Sequence, residues 1–82
     1  LEMASRAVAM AADRGTVPAN LWETRGQIFA KLGRWRESVV DLERALKQMS
    51  GSVPMHATLG RAYRELGQED LAEEHLRLGA KN

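Results

Sequence analysis

Two histidines, His56 and His75, are the residues of this 82-residue chain best suited to metal binding or proton transfer. They lie 19 residues apart, in what we predict to be different helices, and neither has a second ligand four residues away. The stretch "EEHL" around His75 lacks the H-E-x-x-H pattern by which one helix presents two zinc ligands. We therefore expect neither a metal site nor a catalytic role. The sequence favours His56 in a core position and His75 in solvent.

Other patterns that support catalysis are also missing from the sequence. Glu73 and Glu74 are adjacent, so on a helix they would point about 100° apart and could not act as a convergent acid–base pair. The chain has no cysteine, which excludes thiol catalysis and thiolate metal sites. It also has no glycine-rich phosphate-binding motif and no G-x-S-x-G motif. We expect no enzyme activity and no cofactor.

The charges of the chain are numerous and nearly balanced. Twelve lysines and arginines stand against 11 acidic residues, for a formal net charge of +1. Because acidic residues are interspersed among the arginines, we do not expect nucleic-acid binding. No apolar run approaches the roughly 20 residues that span a bilayer, so no membrane partner is expected.

An internal repeat of 34 residues organises the chain. Shifting the sequence by that length places Gly26 on Gly60 and Gly33 on Gly67. The stretches "AKLGRWRES" and "RELGQEDLA" align without a gap, and residues 1–18 overlay residues 35–52. The sequence therefore divides into half a repeat, residues 1–18, followed by units at residues 19–52 and 53–82.

Each full unit is predicted to form two helices. Apolar or small residues recur at helical spacing from Ala19 to Leu32, namely at Trp22, Gly26, Phe29 and Leu32. A second helix in this unit is marked by the apolar residues Val39, Leu42, Ala45, Leu46 and Met49.

The predicted helix ends follow from glycine, serine and proline. Gly33 suits a left-handed C-cap, and Ser52 with Pro54 suits the start of a helix from Val53 to Leu66. Gly15 ends a first helix over about Leu1 to Arg14. The prediction is an all-α chain of about five helices, because alternating β-branched runs are missing.

The 34-residue helical hairpin resembles the tetratricopeptide repeat, whose pattern is W-x2-L-G-x2-Y followed by A-x3-F. The residues that carry the resemblance are Trp22, Gly26, Phe29, Leu42 and Ala45 in one unit and Leu59, Gly60, Tyr63, Ala72 and Leu76 in the next. The departures from the pattern are Arg25, Ser38, Ser50, His56 and Gly79. The resemblance implies an α-α superhelix in which Gly26 faces Ser38, and Gly60 faces Ala72.

The resemblance also implies a concave groove that receives a peptide segment of a partner protein. The candidate groove residues are Asn20, Glu23, Thr24, Gln27, Lys31, Thr58, Arg61 and Arg64. Arg61 and Arg64 share a helix face and could hold carboxylates of an acidic partner. One branch of the family grips a C-terminal carboxylate with lysine and asparagine, but Glu23, Gln27, Thr24 and Thr58 occupy those sites here. That specific function is not expected.

Three further residues stand out in the sequence. Arg25 stands where the family has leucine, so it must reach solvent or pair with a carboxylate, and local pairing is favoured over ligand binding. Trp22 is interpreted as a core residue, because apolar helical stripes usually mean burial. Trp35 falls near the turn between paired helices, and its role stays open.

The two ends of the repeat array are expected to differ. Val39, Val40 and Leu46 of the middle unit are predicted to face the next unit, whereas Glu73, Glu74 and Ala80 at matching positions would close the array.

The first helix carries an apolar stripe of Ala4, Val8 and Ala11 that lacks a preceding partner helix, which suggests a fragment of a longer protein. The leading functional expectation is a protein–protein interaction scaffold. The alternative is self-association, as a homodimer or by docking a neighbouring domain through this helix.

Overall fold

The computed structural model describes residues 1–80, and these residues form five helices and no strand. Lys81 and Asn82, the last residues of the predicted third unit, lie outside the described part. The helices are α1 (Glu2–Asp13), α2 (Ala19–Lys31), α3 (Trp35–Leu46), α4 (Val53–Glu65) and α5 (Glu69–Ala80). The predicted all-α fold class is confirmed, with several helix ends one residue shorter than predicted.

The helices pair in chain order. Helices α2 and α3 form the first hairpin, α4 and α5 form the second hairpin, and α3 packs against α4 to join them. Helix α2 also touches α4, whereas α1 contacts α2 and no other helix among the described residues. This arrangement sets α2 and α4 side by side, as the predicted groove requires.

Helix ends follow the capping chemistry read from the sequence. Gly33 and Gly67 adopt positive φ angles of 75° and 81°, a conformation that costs glycine little. The Ser52 hydroxyl accepts a hydrogen bond from the Met55 N–H at 3.3 Å and so caps α4. Helix α3 ends at Leu46, before Met49, although Met49 still packs against the core.

The core lies between the two hairpins. Its buried residues are Leu42, Ala45, Met55, Leu59, Tyr63 and Ala72. Trp22 packs against this cluster, as predicted, together with Val39 and Leu46. Such burial contributes roughly 1.5–3 kcal/mol for each large apolar side chain.

Two glycines allow the helices of each hairpin to approach closely. A Cβ atom placed on Gly26 would lie 2.8 Å from Cδ2 of Leu42, and one on Gly60 would lie 2.6 Å from Cδ2 of Leu76. Ser38 does face Gly26, since its buried hydroxyl donates a hydrogen bond to the Gly26 carbonyl at 2.8 Å. These contacts offset the conformational cost of a mid-helix glycine.

Two residues of the predicted apolar stripes, Val40 and Leu32, are exposed. Val40 is 49% exposed, because Val40 and Val39 point about 100° apart and only Val39 reaches the core. Leu32 is 56% exposed. Its counterpart Leu66, 34 residues later, lies beside Val39 and Val40 of the preceding helix. At the positions of those two valines, α1 has Ser5 and Arg6, which offer Leu32 no apolar partner.

The apolar stripe predicted for α1 is only partly open. Val8 is 6% exposed, and since α1 contacts no helix other than α2 within residues 1–80, that burial arises on the α2 side. The exposed apolar side chains of α1 are instead Met3 and Met10, at 83% and 52%. Glu73 and Glu74 of α5 are exposed, as predicted, and the side chain of Ala80 lies outside the described part.

Candidate functional site

A cavity of about 340 Å³ lies between α2 and α4, on the side predicted to form the groove. We call it the groove cavity, and its lining residues are Gln27, Ala30, Lys31, Trp35, Ala57, Thr58 and Arg61. Four of them, Gln27, Lys31, Thr58 and Arg61, are predicted groove residues. The stacking of the two hairpins brings them together, because they come from helices α2 and α4.

A hydrogen bond joins the two helices at the groove cavity. The Thr58 hydroxyl donates to Oε1 of Gln27 at 2.9 Å, across 31 residues of sequence. Both side chains are half-buried. The bond fixes the amide orientation of Gln27, leaving its NH₂ group available as a donor to a bound molecule.

Trp35 forms an aromatic wall of the groove cavity. The guanidinium carbon of Arg61 lies 5.3 Å from the centroid of the Trp35 ring, within the range of a cation–π contact. The sequence left the role of Trp35 open because the residue begins α3 rather than lying on a groove helix. The signal available was an aromatic residue placed just after the turn that follows Lys31.

The groove cavity has a cationic character. Among the described residues, Lys31 and Arg61 are the charged members of its lining, and none of the lining residues is acidic. Both cationic side chains belong to exposed residues, so a partner could reach them without displacing the core. The cavity therefore offers two cations, amide and hydroxyl groups, and an indole face.

The other four predicted groove residues lie outside the groove cavity. The Thr24 hydroxyl donates to the Asn20 carbonyl at 2.8 Å, a contact within α2. Glu23 is half-buried on the same helix. Arg64 lies with its Nε 3.6 Å from Oε1 of Glu69, at the start of α5.

A second cavity, of about 350 Å³, lies on the other side of the first hairpin, and its main charged group is already paired. There Arg25 contacts Asp41 through two bonds, Nε to Oδ2 at 2.6 Å and Nη2 to Oδ1 at 3.0 Å. The Arg25 side chain is 19% exposed and that of Asp41 is 2% exposed. This confirms the predicted local pairing of Arg25 and identifies its partner. The hydrogen bond to Asp41 raises the pKa of Arg25 above its usual value, so the guanidinium stays charged.

A polar cluster of four side chains joins the two hairpins at the α3–α4–α5 contact: Glu43, His56, Tyr63 and His75. Nδ1 of His56 lies 3.0 Å from Nδ1 of His75, and Nε2 of His75 lies 3.3 Å from Oε2 of Glu43. The Tyr63 hydroxyl donates to the same Glu43 oxygen at 2.5 Å. The prediction that His75 is solvated is wrong, since the residue is 8% exposed. Its ring is enclosed by the rings of His56 and Tyr63, which stack on it.

His56 occupies space that two glycines leave open. A Cβ on Gly79 would lie 3.2 Å from Cβ of His56, and one on Gly51 would collide with the His56 Nε2. These glycines come from α5 and from the loop before α4, so His56 is held from both sides. Its half-buried position agrees with the prediction that it fills a core site.

Tyr63 is bound to the cluster as a proton donor. Burial raises the pKa of its phenol well above the usual value of about 10, and the hydrogen bond to the Glu43 carboxylate adds to the increase. The phenol therefore stays protonated across the physiological range. The Glu43 carboxylate accepts from it on the same oxygen that faces His75.

The described residues contain no group of three or more histidine, aspartate and glutamate side chains arranged to hold a metal ion. The polar cluster comes closest to such a group. In it, however, Glu43 and His56 lie on opposite sides of the His75 ring, Glu43 beside Nε2 and His56 beside Nδ1. Nor is any helix within residues 1–80 both long enough and apolar enough to cross a membrane.

Comparisons with family models, curated proteins and solved structures found no match to the chain. The features of the chain that bear on its function are the geometry of the groove cavity and the repeat pattern of the sequence.

Proposed function

We propose that the chain is a protein-interaction module that binds an extended, acidic segment of a partner protein in the groove cavity. The observation that carries the proposal is the lining itself, which presents Lys31 and Arg61 beside Trp35 and contains no carboxylate. A partner carboxylate would be attracted to the cations, and an adjacent apolar side chain would pack on the indole.

Arg61 is the residue that we expect to contribute most to recognition. Its guanidinium is a planar fork that binds both oxygens of a carboxylate. Stacking on Trp35 at 5.3 Å restricts the side chain before the partner arrives, which lowers the entropy lost on binding. Gln27, oriented by Thr58 at 2.9 Å, adds an amide donor to the same surface.

The repeat pattern supports the same proposal. The 34-residue spacing of Gly26 and Gly60 is typical of tetratricopeptide repeats, and the paired hairpins agree with that architecture. We propose that the hairpins are tetratricopeptide-like and that residues 19–80 use the groove side of α2 and α4 for binding. Enzyme activity is not part of the proposal.

A peptide display library of extended random segments tests the proposal. Selection on the wild-type chain is expected to enrich peptides that carry aspartate or glutamate next to an apolar residue. A selected peptide, measured by fluorescence anisotropy, should bind Arg61→Glu at least tenfold more weakly, which corresponds to about 1.4 kcal/mol.

Arg64→Glu is the matched control, because Arg64 has the same charge on the same helix but faces Glu69 at 3.6 Å. Its effect on affinity should be less than threefold. Equal losses in the two variants would indicate a nonspecific effect of net charge. Enrichment without acidic residues, or unchanged binding by Arg61→Glu, would contradict the proposed function.

A second candidate is self-association through α1, and it is favoured by a specific surface. A cavity of about 360 Å³ between α1 and the start of α2 is lined largely by apolar groups, including Met10, Ala11, Pro18 and Leu21. Met10 of this lining is exposed, and so is Met3 on the same helix. Gel filtration over a concentration range should then show a dimer that Met10→Glu abolishes. A monomer at all concentrations would eliminate this candidate.

A further inference from the structure

Helix α3 carries an outward stripe of two arginines with a valine between them. Arg36, Val40 and Arg44 follow one another at intervals of four residues, so they lie along one side of the helix at steps of about 6 Å. All three residues are exposed, Val40 to 49%. We call these three residues the α3 stripe, and all of them line the second cavity, between α2 and α3.

The two carboxylates that line the second cavity are already neutralised by other arginines. Asp41 is bound by Arg25, as described above, and Glu37 accepts two hydrogen bonds from Arg34, at 2.8 Å and 2.6 Å. The two arginines of the α3 stripe, in contrast, form no ion pair with any carboxylate within residues 1–80. The stripe therefore presents two positive charges that the described part of the chain does not balance.

One of these arginines is ordered in the structure by an aromatic ring. The guanidinium carbon of Arg44 lies 4.6 Å from the centroid of the Trp22 ring, within the range of a cation–π contact. The Arg25 guanidinium carbon lies 5.5 Å from the same ring, and Arg25 is itself fixed by Asp41. Because Arg44 is restricted in advance, a carboxylate that binds it costs less side-chain entropy.

Cavities lie on both sides of the α3 stripe. The second cavity, of about 350 Å³, is on the α2 side, and a cavity of about 300 Å³ on the α4 side has Val39, Tyr63 and Leu66 in its lining. Arg36 and Val40 line both cavities. A helix laid along the stripe would direct successive side chains about 100° apart and could fill both cavities. An extended segment would present only alternate side chains, in a single row.

We propose that the α3 stripe binds an acidic helix of a partner protein, with an apolar residue of that helix against Val40 and a carboxylate four residues to either side of it. Carboxylates eight residues apart on a helix are separated by about 12 Å along its axis, and the same rise separates Arg36 from Arg44. The two unbalanced arginines set the charge of the partner.

The occupant is a different protein rather than a second copy of this chain. No apolar residue within residues 1–80 has acidic residues both four positions before and four positions after it. The surface is also separate from the groove cavity, since neither cavity beside the α3 stripe shares a lining residue with it. The proposal therefore adds a second binding surface to the proposed function.

An NMR titration of the full chain with a defined peptide tests the proposal. The probe is an alanine-based helical peptide of about 16 residues, with two glutamates eight positions apart and a leucine midway between them. The two tryptophans report different surfaces, because Trp22 contacts Arg44 of the stripe and Trp35 lines the groove cavity. The peptide should shift the indole N–H signal of Trp22 and leave that of Trp35 in place. A shift of the Trp35 signal alone would overturn the proposal and leave the proposed function of the groove cavity intact.

The double variant Arg36→Gln with Arg44→Gln should weaken binding of the peptide at least about fivefold. Arg6→Gln with Arg77→Gln is the matched control, because it removes two exposed arginines from α1 and α5, and it should change the affinity less than twofold. Equal losses in the two variants would overturn the proposal in favour of a net-charge effect. A peptide with glutamines in place of its glutamates removes the same contacts from the unaltered chain and should show the same fivefold loss.

Other occupants of the α3 stripe have their own outcomes. Proline in place of an alanine next to the leucine breaks the peptide helix and should weaken binding at least about fivefold. Equal binding of that peptide would overturn the helical partner in favour of an extended one. The chain should not sediment with phosphatidylserine vesicles. Sedimentation that the double glutamine variant abolishes would assign the stripe to a membrane surface and overturn the proposal.

Discussion

The two hairpins place different side chains at positions that are 34 residues apart. Trp22 of the first hairpin corresponds to His56 of the second, and Asp41 corresponds to His75. The first hairpin satisfies its buried carboxylate internally, since Arg25 and Asp41 belong to α2 and α3. The second hairpin places Nε2 of its buried His75 3.3 Å from Oε2 of Glu43, which belongs to the first hairpin.

This difference shows that one backbone arrangement can contain two kinds of polar contact. A bidentate ion pair inside a hairpin needs no polar group from its neighbour, whereas a polar cluster between hairpins needs groups from both. The dependence is asymmetric, because nothing in the Arg25–Asp41 pair requires the second hairpin. Separate changes to the two hairpins should therefore have unequal and distinguishable effects.

The largest expected effect comes from breaking the ion pair of the first hairpin. Arg25→Leu copies the Leu59 of the second hairpin but leaves Asp41 buried and unpaired. We expect a loss of about 3 kcal/mol in the free energy of unfolding, measured by urea denaturation. The double variant Arg25→Leu with Asp41→Leu removes both charges and should recover most of that loss. A double variant as unstable as the single one would contradict this explanation.

The next effect concerns the two close approaches. Gly60→Ala would set its methyl 2.6 Å from Leu76 and 3.3 Å from the Ala72 carbonyl, so we expect about 2 kcal/mol of destabilisation even after the gain in helix propensity. Gly26→Ala meets side chains only, at 2.8 Å and beyond, and should cost about 1 kcal/mol. Thermal unfolding distinguishes the two. The reverse order would mean that the first hairpin is the more tightly packed.

A smaller change in stability is expected at Tyr63, whose counterpart in the first hairpin is Phe29. Because the folded chain keeps the phenol proton to a higher pH than the unfolded chain, the stability that it contributes is fully present below about pH 10 and is lost as the pH rises further. Tyr63 is the only tyrosine, so phenolate absorbance reports it alone. Its titration midpoint should lie well above 10 in the folded chain and fall in Glu43→Gln. Tyr63→Phe should cost about 1.5 kcal/mol near neutral pH, since it removes a bond to a charged group. A midpoint near 10 in the folded chain would contradict both the burial of the phenol and its hydrogen bond to Glu43.

The smallest effect is expected at Ser38, which corresponds to Ala72. Ser38→Ala removes the buried hydrogen bond to the Gly26 carbonyl at 2.8 Å. The expected cost is about 1 kcal/mol in the free energy of unfolding. Ala72→Ser is the reciprocal control. It should not raise the free energy of unfolding unless the Gly60 carbonyl can accept a hydrogen bond as the Gly26 carbonyl does. No measurable change in Ser38→Ala would mean that solvent replaces the hydroxyl.

Much of the fold could be predicted because its signals are local and occur twice. Gly33 with Gly67, and Ser52 with Pro54, report backbone requirements that act within a few residues, and Gly26 and Gly60 mark the same interhelical contact in each repeat. The burial of Trp22 followed from helical spacing in the same way. The exposed Val40 and Leu32 were missed because their exposure depends on which residues the neighbouring helix presents.

The candidate sites were predicted only in part. Gln27, Lys31, Thr58 and Arg61 share helix faces that spacing alone defines, whereas Trp35 reaches the groove cavity from a different helix. The pairing of Arg25 was predicted without its partner, because Asp41 lies 16 residues later on α3. His75 was predicted to lie in solvent but is buried. The 34-residue shift places it on Asp41, and that alignment was the available sign of a buried polar position.

Because the residues of the polar cluster come from both hairpins, the cluster also favours one order of the hairpins. If a copy of residues 19–52 followed α3 in place of the second hairpin, Glu43 would meet Phe29 and Asp41 of the copy where it now meets Tyr63 and His75. An acceptor with no donor, beside a second carboxylate, would disfavour that junction. The contact therefore restricts which hairpin can follow α3. Tandem duplication of the first hairpin alone would not give a favourable junction.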